Sequence, residues 1–385
     1  MFDFDTLIDR RHTASEKWDR YAGQDVIPLW VADMDFRSPP AVLEALQQRV
    51  EHGVFGYSSP PKELIAVVLA MLQQEYRWQV QPDWLVWLPG LVCGLNVTCR
   101  AVGAPGDAVA TFTPVYPPFL TAPGLAERDL ISVPLVEQKG RWEMDLEALE
   151  QAITPRTRLL MLCSPHNPVG RVWNREEQLA LADLVERHNL IVCSDEIHAG
   201  LVLDSDKPHI PFATLTPELA RRTITLLAPS KTYNIPGLGC SFAVIPDKQL
   251  RQAFRGAMAG IVPHVNLLGY TAALAAYRDG ELWRQAVIEY LRQNRDLVLE
   301  AVQAMPGLKT WPVEATYLAW IDAQGLGVAD PASLFEQAGV GLSDGVPFGA
   351  AGFVRLNFGC PRSLLQQALE RMKTVCVRMC GLAKK

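Results

Sequence analysis

The eight cysteines of this 385-residue sequence include no CxxC pair, so the spacing of a zinc ribbon or a redox dithiol is missing. Four of them lie inside or beside apolar runs, where a thiol behaves as a small hydrophobe. Reduced cysteines in a cytoplasm are expected, and no metal site. No apolar run approaches the roughly 18 residues of a membrane span; the best, LLGYTAALAAY at 267–277, reads as a buried helix. The start, MFDFDTLIDRR, has two acids in its first five residues and lacks the basic-then-apolar pattern of an export signal. Positive charge is not in excess either: 36 Lys and Arg against 42 Asp and Glu leave a net −6. Nothing then draws the chain to phosphate backbones or anionic lipid, so neither nucleic acid nor membrane is an expected partner. Low-complexity tracts and internal repeats are absent. What remains is ordinary globular composition, 49% hydrophobic and 20% charged, over two to three domains' worth of chain at roughly 150 residues each.

From about 84 to 246, short apolar runs alternate with amphipathic stretches: WLVWL, LVCGLNVTCRAV, AVATF, ISVPL, RLLMLC, a helix after Asn174, LIVCSD, TITLLA and SFAVI. In the 175–187 stretch Asn174 is placed to cap, Glu176 and Glu177 suit the helix dipole, and Leu179, Leu181, Leu184 and Val185 form a stripe. Strands joined by such crossovers run parallel with both faces covered, which predicts a mostly parallel, doubly wound sheet in a large α/β domain. After Pro246 helices dominate, followed by expected strands ATYLAWID (315–322) and GFVRLNF (352–358) and a last helix from 362. The expected division is an extended arm over 1–40, a large domain over 41–275 and a smaller C-terminal α/β domain over 276–385.

Three polar residues follow three consecutive apolar runs. RLLMLC leads into SPHNPVG with Asn167, LIVC into SDEIHAG with Asp195, and TITLLAP into SKTYNIPG with Lys231. Their spacings match βαβ units of roughly 30 residues, so parallel strands would bring all three to one sheet edge, where open α/β sheets bind ligands. An amide, a carboxylate and an amine gathered there are what pyridoxal 5'-phosphate needs. Lys231 would anchor the aldehyde, Asp195 would keep the pyridine nitrogen protonated, and Asn167 would hydrogen bond the phenolic oxygen.

SPHNPVG, SDEIH and APSKTYNIPG resemble the signatures of fold type I pyridoxal phosphate enzymes of the class I/II aminotransferase group, over about residues 25–370. PLWVADMDF (28–36), VFGYS (54–58), PVYPPF (114–119), DEIH and SKTYNIPGL are similar to the MalY/PatB-type branch of carbon–sulfur β-lyases. That resemblance implies a PLP-dependent transferase-like fold and a set of roles. Tyr116 would lie against the cofactor ring, and the amides of Gly90, Leu91 and Val92 at a helix start would hold the phosphate with Ser230. Arg355 would grip the substrate α-carboxylate with two parallel hydrogen bonds, and the Val31–Ala32 backbone would close over the substrate. Tyr57 would reach the phosphate of a partner subunit, making the active form a homodimer with shared sites. His198 stands where many aminotransferases have a tyrosine near the cofactor oxygen; Gly239 and Ala228 replace a common arginine and hydroxyl.

The expected reaction is α,β-elimination from cystathionine, cysteine or a related S-substituted cysteine, giving a thiol, pyruvate and ammonia, with Lys231 as general base. An aminotransferase using the same residues is the alternative. Trp30, Phe36, Phe55 and Tyr233 are expected near the entrance, and His166 is left outside the catalytic set.

Overall fold

The structure is a computed structural model describing residues 2–382. Its centre is a seven-stranded sheet made of β1 (Leu85–Leu88), β2 (Ala108–Thr113), β3 (Asp129–Pro134), β4 (Thr157–Cys163), β5 (Ile191–Asp195), β6 (Thr223–Leu227) and β7 (Ser241–Val244), in the order β1-β7-β6-β5-β4-β2-β3. From β6 through β5, β4 and β2 to β3 every pairing is parallel. The expectation of a mostly parallel sheet needs one amendment, because β7 runs antiparallel to both its neighbours, β1 and β6. Its link from β6 carries only a short 3-10 turn, Pro236–Leu238, and no crossover helix to turn the chain back into parallel register. Reversing direction twice, β1 ends up pointing the same way as β6. Six strands therefore present their carboxyl ends on one edge.

Helices cover both faces. α1 (Leu91–Ala101) buries Leu91, Leu95, Val97 and Cys99 against one face. α2 (Arg175–Arg187) buries Leu181, Leu184 and Val185 against the other. α2 begins with a full capping box: Glu177 N–H donates to Asn174 Oδ1 at 2.9 Å, and Asn174 N–H to Glu177 Oε2 at 2.7 Å, an arrangement whose loss typically costs about 1 kcal/mol.

Past the sheet, α3 (Leu267–Asp279) precedes α4 (Glu281–Gln303). A second, four-stranded antiparallel sheet follows, β8 (Lys309–Thr310), β9 (Leu318–Asp322), β10 (Ser343–Asp344) and β11 (Phe353–Asn357), and the chain closes with α5 (Arg362–Leu382). ATYLAWID is strand only from Leu318, because Thr316 turns to φ 75 and Ala315 bridges instead to Val202. The first 40 residues are less extended than expected. They include a turn of helix, Glu16–Asp19, and pair Ile27–Pro28 in parallel with Val340–Gly341. Phe4 and Phe36 sit edge-on to each other at 5.1 Å and pack against Trp283 and Tyr290. Aromatic rings of that size gain most by leaving water, so the segment joins the core shared by α4, β9, β11 and α5.

Candidate active site

The loops leaving five of the six codirectional strands converge on one cavity of about 460 Å³. β1 leads to Gly90, Leu91 and Val92; β2 to Tyr116; β4 to Asn167; β5 ends on Asp195 and leads to His198; β6 leads to Ser230 and Lys231. Register accounts for the meeting, since Asp195 lies opposite Cys163 on one side and Leu226 on the other. Arg355 enters from β11, and Val31 and Ala32 from the N-terminal segment. Of the residues expected to hold cofactor or substrate, Tyr57 alone lies outside this cavity: its side chain is fully exposed.

Asp195 is buried, and among the described residues its carboxylate accepts a single hydrogen bond, from Ile197 N–H at 3.1 Å. Burial pushes its carboxyl up to about 7, with Glu196 adding to the rise while the Ile197 bond and Lys231 oppose it. A carboxylate this poorly served gains from a cationic N–H donor beside it. Burial likewise pushes the Lys231 ammonium down to about 8, helped by Arg355 and opposed by Asp33 and Asp195. Its Nζ donates to Ala32 O at 2.5 Å. His198 is buried, edge-on to Tyr317, and burial lowers it to about 3, so its ring is neutral.

Arg355 spends its guanidinium on three partners: Nη1 donates to Asn167 Oδ1 at 3.1 Å, and Nη2 to Trp30 O at 3.0 Å and Ser343 Oγ at 3.3 Å. Its Cζ lies over the Phe348 ring, 4.7 Å from the centroid. Nε has no partner among the described residues, and burial brings the group down to about 10.

The residues fit pyridoxal 5'-phosphate. α1 starts at Gly90 with no side-chain cap, and a Cβ built there would meet nothing within 4 Å, which leaves bare amides facing open space suited to a phosphate. The arginine common in the wider family has no counterpart here: Gly239 sits at φ +58, and a Cβ there would be 3.0 Å from Pro89 O, so the backbone resists a side chain. No group of three or more His, Cys, Asp or Glu among the described residues is placed to hold a metal.

Some sequence expectations fail. Of the four entrance residues only Trp30 lines the cavity. Phe36 and Tyr233 are buried in the core, and Phe55 is exposed elsewhere. His166, left outside the catalytic set, is buried, with Nε2 2.8 Å from Pro114 O and its ring edge-on to Trp173. Sequence reading missed the residues that hold the 30–33 strap. Asn357 donates to Val31 O at 2.6 Å and Asp33 O at 2.7 Å, and Tyr317 to Ala32 O at 2.8 Å. Asn357 was findable, because it follows Arg355 by two in a strand and so shares its face. Tyr317 carried no signal beyond an apolar run.

A mixed, chiefly parallel sheet with a lysine, aspartate, asparagine and arginine around one carboxyl-end cavity defines a fold type I class of site. The chain belongs to the family described as aminotransferase class I and II, whose model matches residues 24–372. It is 37% identical to cystathionine beta-lyase PatB of Bacillus subtilis, over 96% of this chain and 99% of that one. With protein MalY of Escherichia coli it shares 35% identity over 96% and 97%. Among solved structures, OvoB is 48% identical with a TM-score of 0.96, covering 97% of this chain and 99% of that one. Cystalysin from Treponema denticola, which contains pyridoxal 5'-phosphate, is 34% identical with a TM-score of 0.93, covering 97% and 98%.

Proposed function

We propose that the chain is a pyridoxal 5'-phosphate-dependent carbon–sulfur β-lyase, cleaving cystathionine, cysteine or related S-substituted cysteines to a thiol, pyruvate and ammonia. The observation that carries this is the meeting of Lys231, Asp195, Tyr116, Asn167 and Arg355 around one cavity. The names of the PatB and Corynebacterium glutamicum relatives, both cystathionine beta-lyases, favour elimination over amino-group transfer.

Bound there, the cofactor would supply an electron sink that makes the substrate Cα proton acidic. Asp195 supplies the anion that holds the ring nitrogen's proton. Leu91 and Val92 amides and Ser230 would take the phosphate, and Tyr116, Asn167 and His198 would hold the ring. Arg355 exchanges Trp30 O and Ser343 for the substrate carboxylate, which fixes Cα against Lys231. The Lys231 amine, held near neutrality by burial, removes the Cα proton. A thiolate is a good leaving group, so the chain mainly has to hold Cα–H and Cβ–S across the ring plane, while the Val31–Ala32 strap keeps water out.

The active form is a homodimer in this reading, with Tyr57 completing the partner's phosphate site. Support comes from the 54–57 segment, where Val54, Phe55 and Tyr57 are all exposed, an apolar patch of the kind that marks an interface. The functional division is the arm 1–40, large domain 41–275 and small domain 276–385, and the setting is cytoplasmic. No helix among the described residues is long and apolar enough to cross a membrane. The purified protein should release pyruvate from cystathionine or an alkyl cysteine with no 2-oxo acid added. Activity that depends wholly on an added 2-oxo acid would make it an aminotransferase.

A further inference from the structure

One charge on the cavity wall has no task in the function proposed above, on which this inference rests. Asp195, Lys231 and Arg355 are committed to the cofactor, the Cα proton and the α-carboxylate. Glu16 is not. It lines the same cavity from the first position of the Glu16–Asp19 turn and is itself exposed. It forms no ion pair or side-chain hydrogen bond with any described residue.

Its field nevertheless reaches inside. The hydroxyl of half-buried Tyr116 is held above its ordinary range by desolvation first, then by Asp195 and Glu16, against the pull of Arg355. Three of the nearby cations are spoken for. Arg10 pairs with Asp33 and Asp35 at 2.6 Å each, and buried Lys17 with Asp35 at 2.7 Å. Arg20 lies over the Trp30 ring at 4.6 Å and faces Glu336. Arg37 lines an outer groove of about 560 Å³ that shares Glu16 with the cavity, but it is not on the cavity wall. Inside the cavity Lys231 and Arg355 are the only lysine and arginine among the lining residues, and both are consumed. The group a substrate carries on sulfur therefore meets an unpaired carboxylate on the cavity wall.

We propose that Glu16 determines specificity, selecting S-substituted cysteines whose sulfur-linked group ends in a cation, such as an aminoalkyl chain, over those ending in a carboxylate.

The test uses holoenzyme and amino acids without a leaving group. L-lysine, 2-aminoheptanoic acid and 2-aminoadipic acid are the sulfur-free counterparts of S-aminoethyl-, S-propyl- and S-carboxymethylcysteine. Each is titrated against the visible absorption of the bound cofactor. Lysine should bind more tightly than 2-aminoadipic acid. Glu16→Gln should weaken lysine about threefold to fivefold relative to 2-aminoheptanoic acid, the size expected of an exposed ion pair, and strengthen 2-aminoadipic acid by a similar factor. Glu16→Lys should reverse the order of the two charged ligands. Lysine and 2-aminoadipic acid responding alike to both substitutions would overturn the proposal. No probe can be eliminated, so failure to release pyruvate from thioethers would overturn the lyase reading and leave this preference standing.

Discussion

Arg355 Nη1 donates to Asn167 Oδ1 across 3.1 Å, joining the guanidinium proposed to take the substrate carboxylate to the amide proposed to face the cofactor. β11 and the loop after β4 are far apart in sequence, and this bond fixes one against the other. Arg355→Lys keeps the charge but loses the planar fork. KM for a cysteine thioether should rise about tenfold to a hundredfold, the worth of one charge-assisted hydrogen bond, with kcat falling less. Steady-state kinetics decide it; equal KM values would show that the arginine is structural.

Lys231→Ala removes both the covalent anchor and the base. Turnover should fall at least about a hundredfold, and the visible absorption of the bound cofactor should disappear while the far-ultraviolet circular dichroism stays. A variant that keeps its colour and its rate would remove Lys231 from the site.

Asp195 has its carboxyl raised to about 7 by burial, above the ordinary 3.8 of an unfolded chain. Between those values the unfolded chain has released a proton that the folded chain still holds. Stability of cofactor-stripped protein should thus drop as pH climbs from about 4 to about 7, then level. Asp195→Asn lacks this loss, so its melting temperature relative to the parent should improve from pH 5 to pH 8. Turnover of the loaded variant should still collapse, at least about a hundredfold. An unchanged melting difference at the two pH values would contradict the buried-carboxylate account.

Lys231 is lowered to about 8, by burial first and Arg355 second. The neutral amine is the nucleophile that takes up cofactor, so the incorporation rate should rise about tenfold per pH unit below 8 and flatten above it. Arg355→Met removes one of the lowering influences and should shift the midpoint upward. Stopped-flow absorbance follows both; a midpoint that stays put would separate the two residues electrostatically.

Much of this was legible in sequence for physical reasons. Asn167, Asp195 and Lys231 follow consecutive strands, and parallel pairing can only bring such ends to one edge. The helix behind Asn174 announces its own start. The direction of β7 was not legible, because an apolar run carries no sign of which way it points, and neither was the strand break at Thr316, a backbone matter. Ser343 and Glu16 reach the cavity, and Tyr317 the Val31–Ala32 strap, through contacts between distant segments, which spacing along the chain does not encode.

Tyr57 offers a test of assembly. Tyr57→Phe and Lys231→Ala proteins should each be nearly inactive, at limiting cofactor for the first. After subunit exchange, mixed dimers carry both lesions in one site and leave the other whole, so activity should recover. Confirmed mixed dimers without recovery would confine the site to one chain.

The central claim, elimination at the sulfur-bearing carbon, is tested most directly by counting products. Holoenzyme is given cystathionine in large excess over sites, with no 2-oxo acid present, and thiol, pyruvate and ammonia are measured together. Equal amounts of all three, far exceeding the number of sites and with the cofactor spectrum restored at the end, are predicted. At most one equivalent of 2-oxo acid per site, with no thiol released and the cofactor left in its amine form, would contradict it.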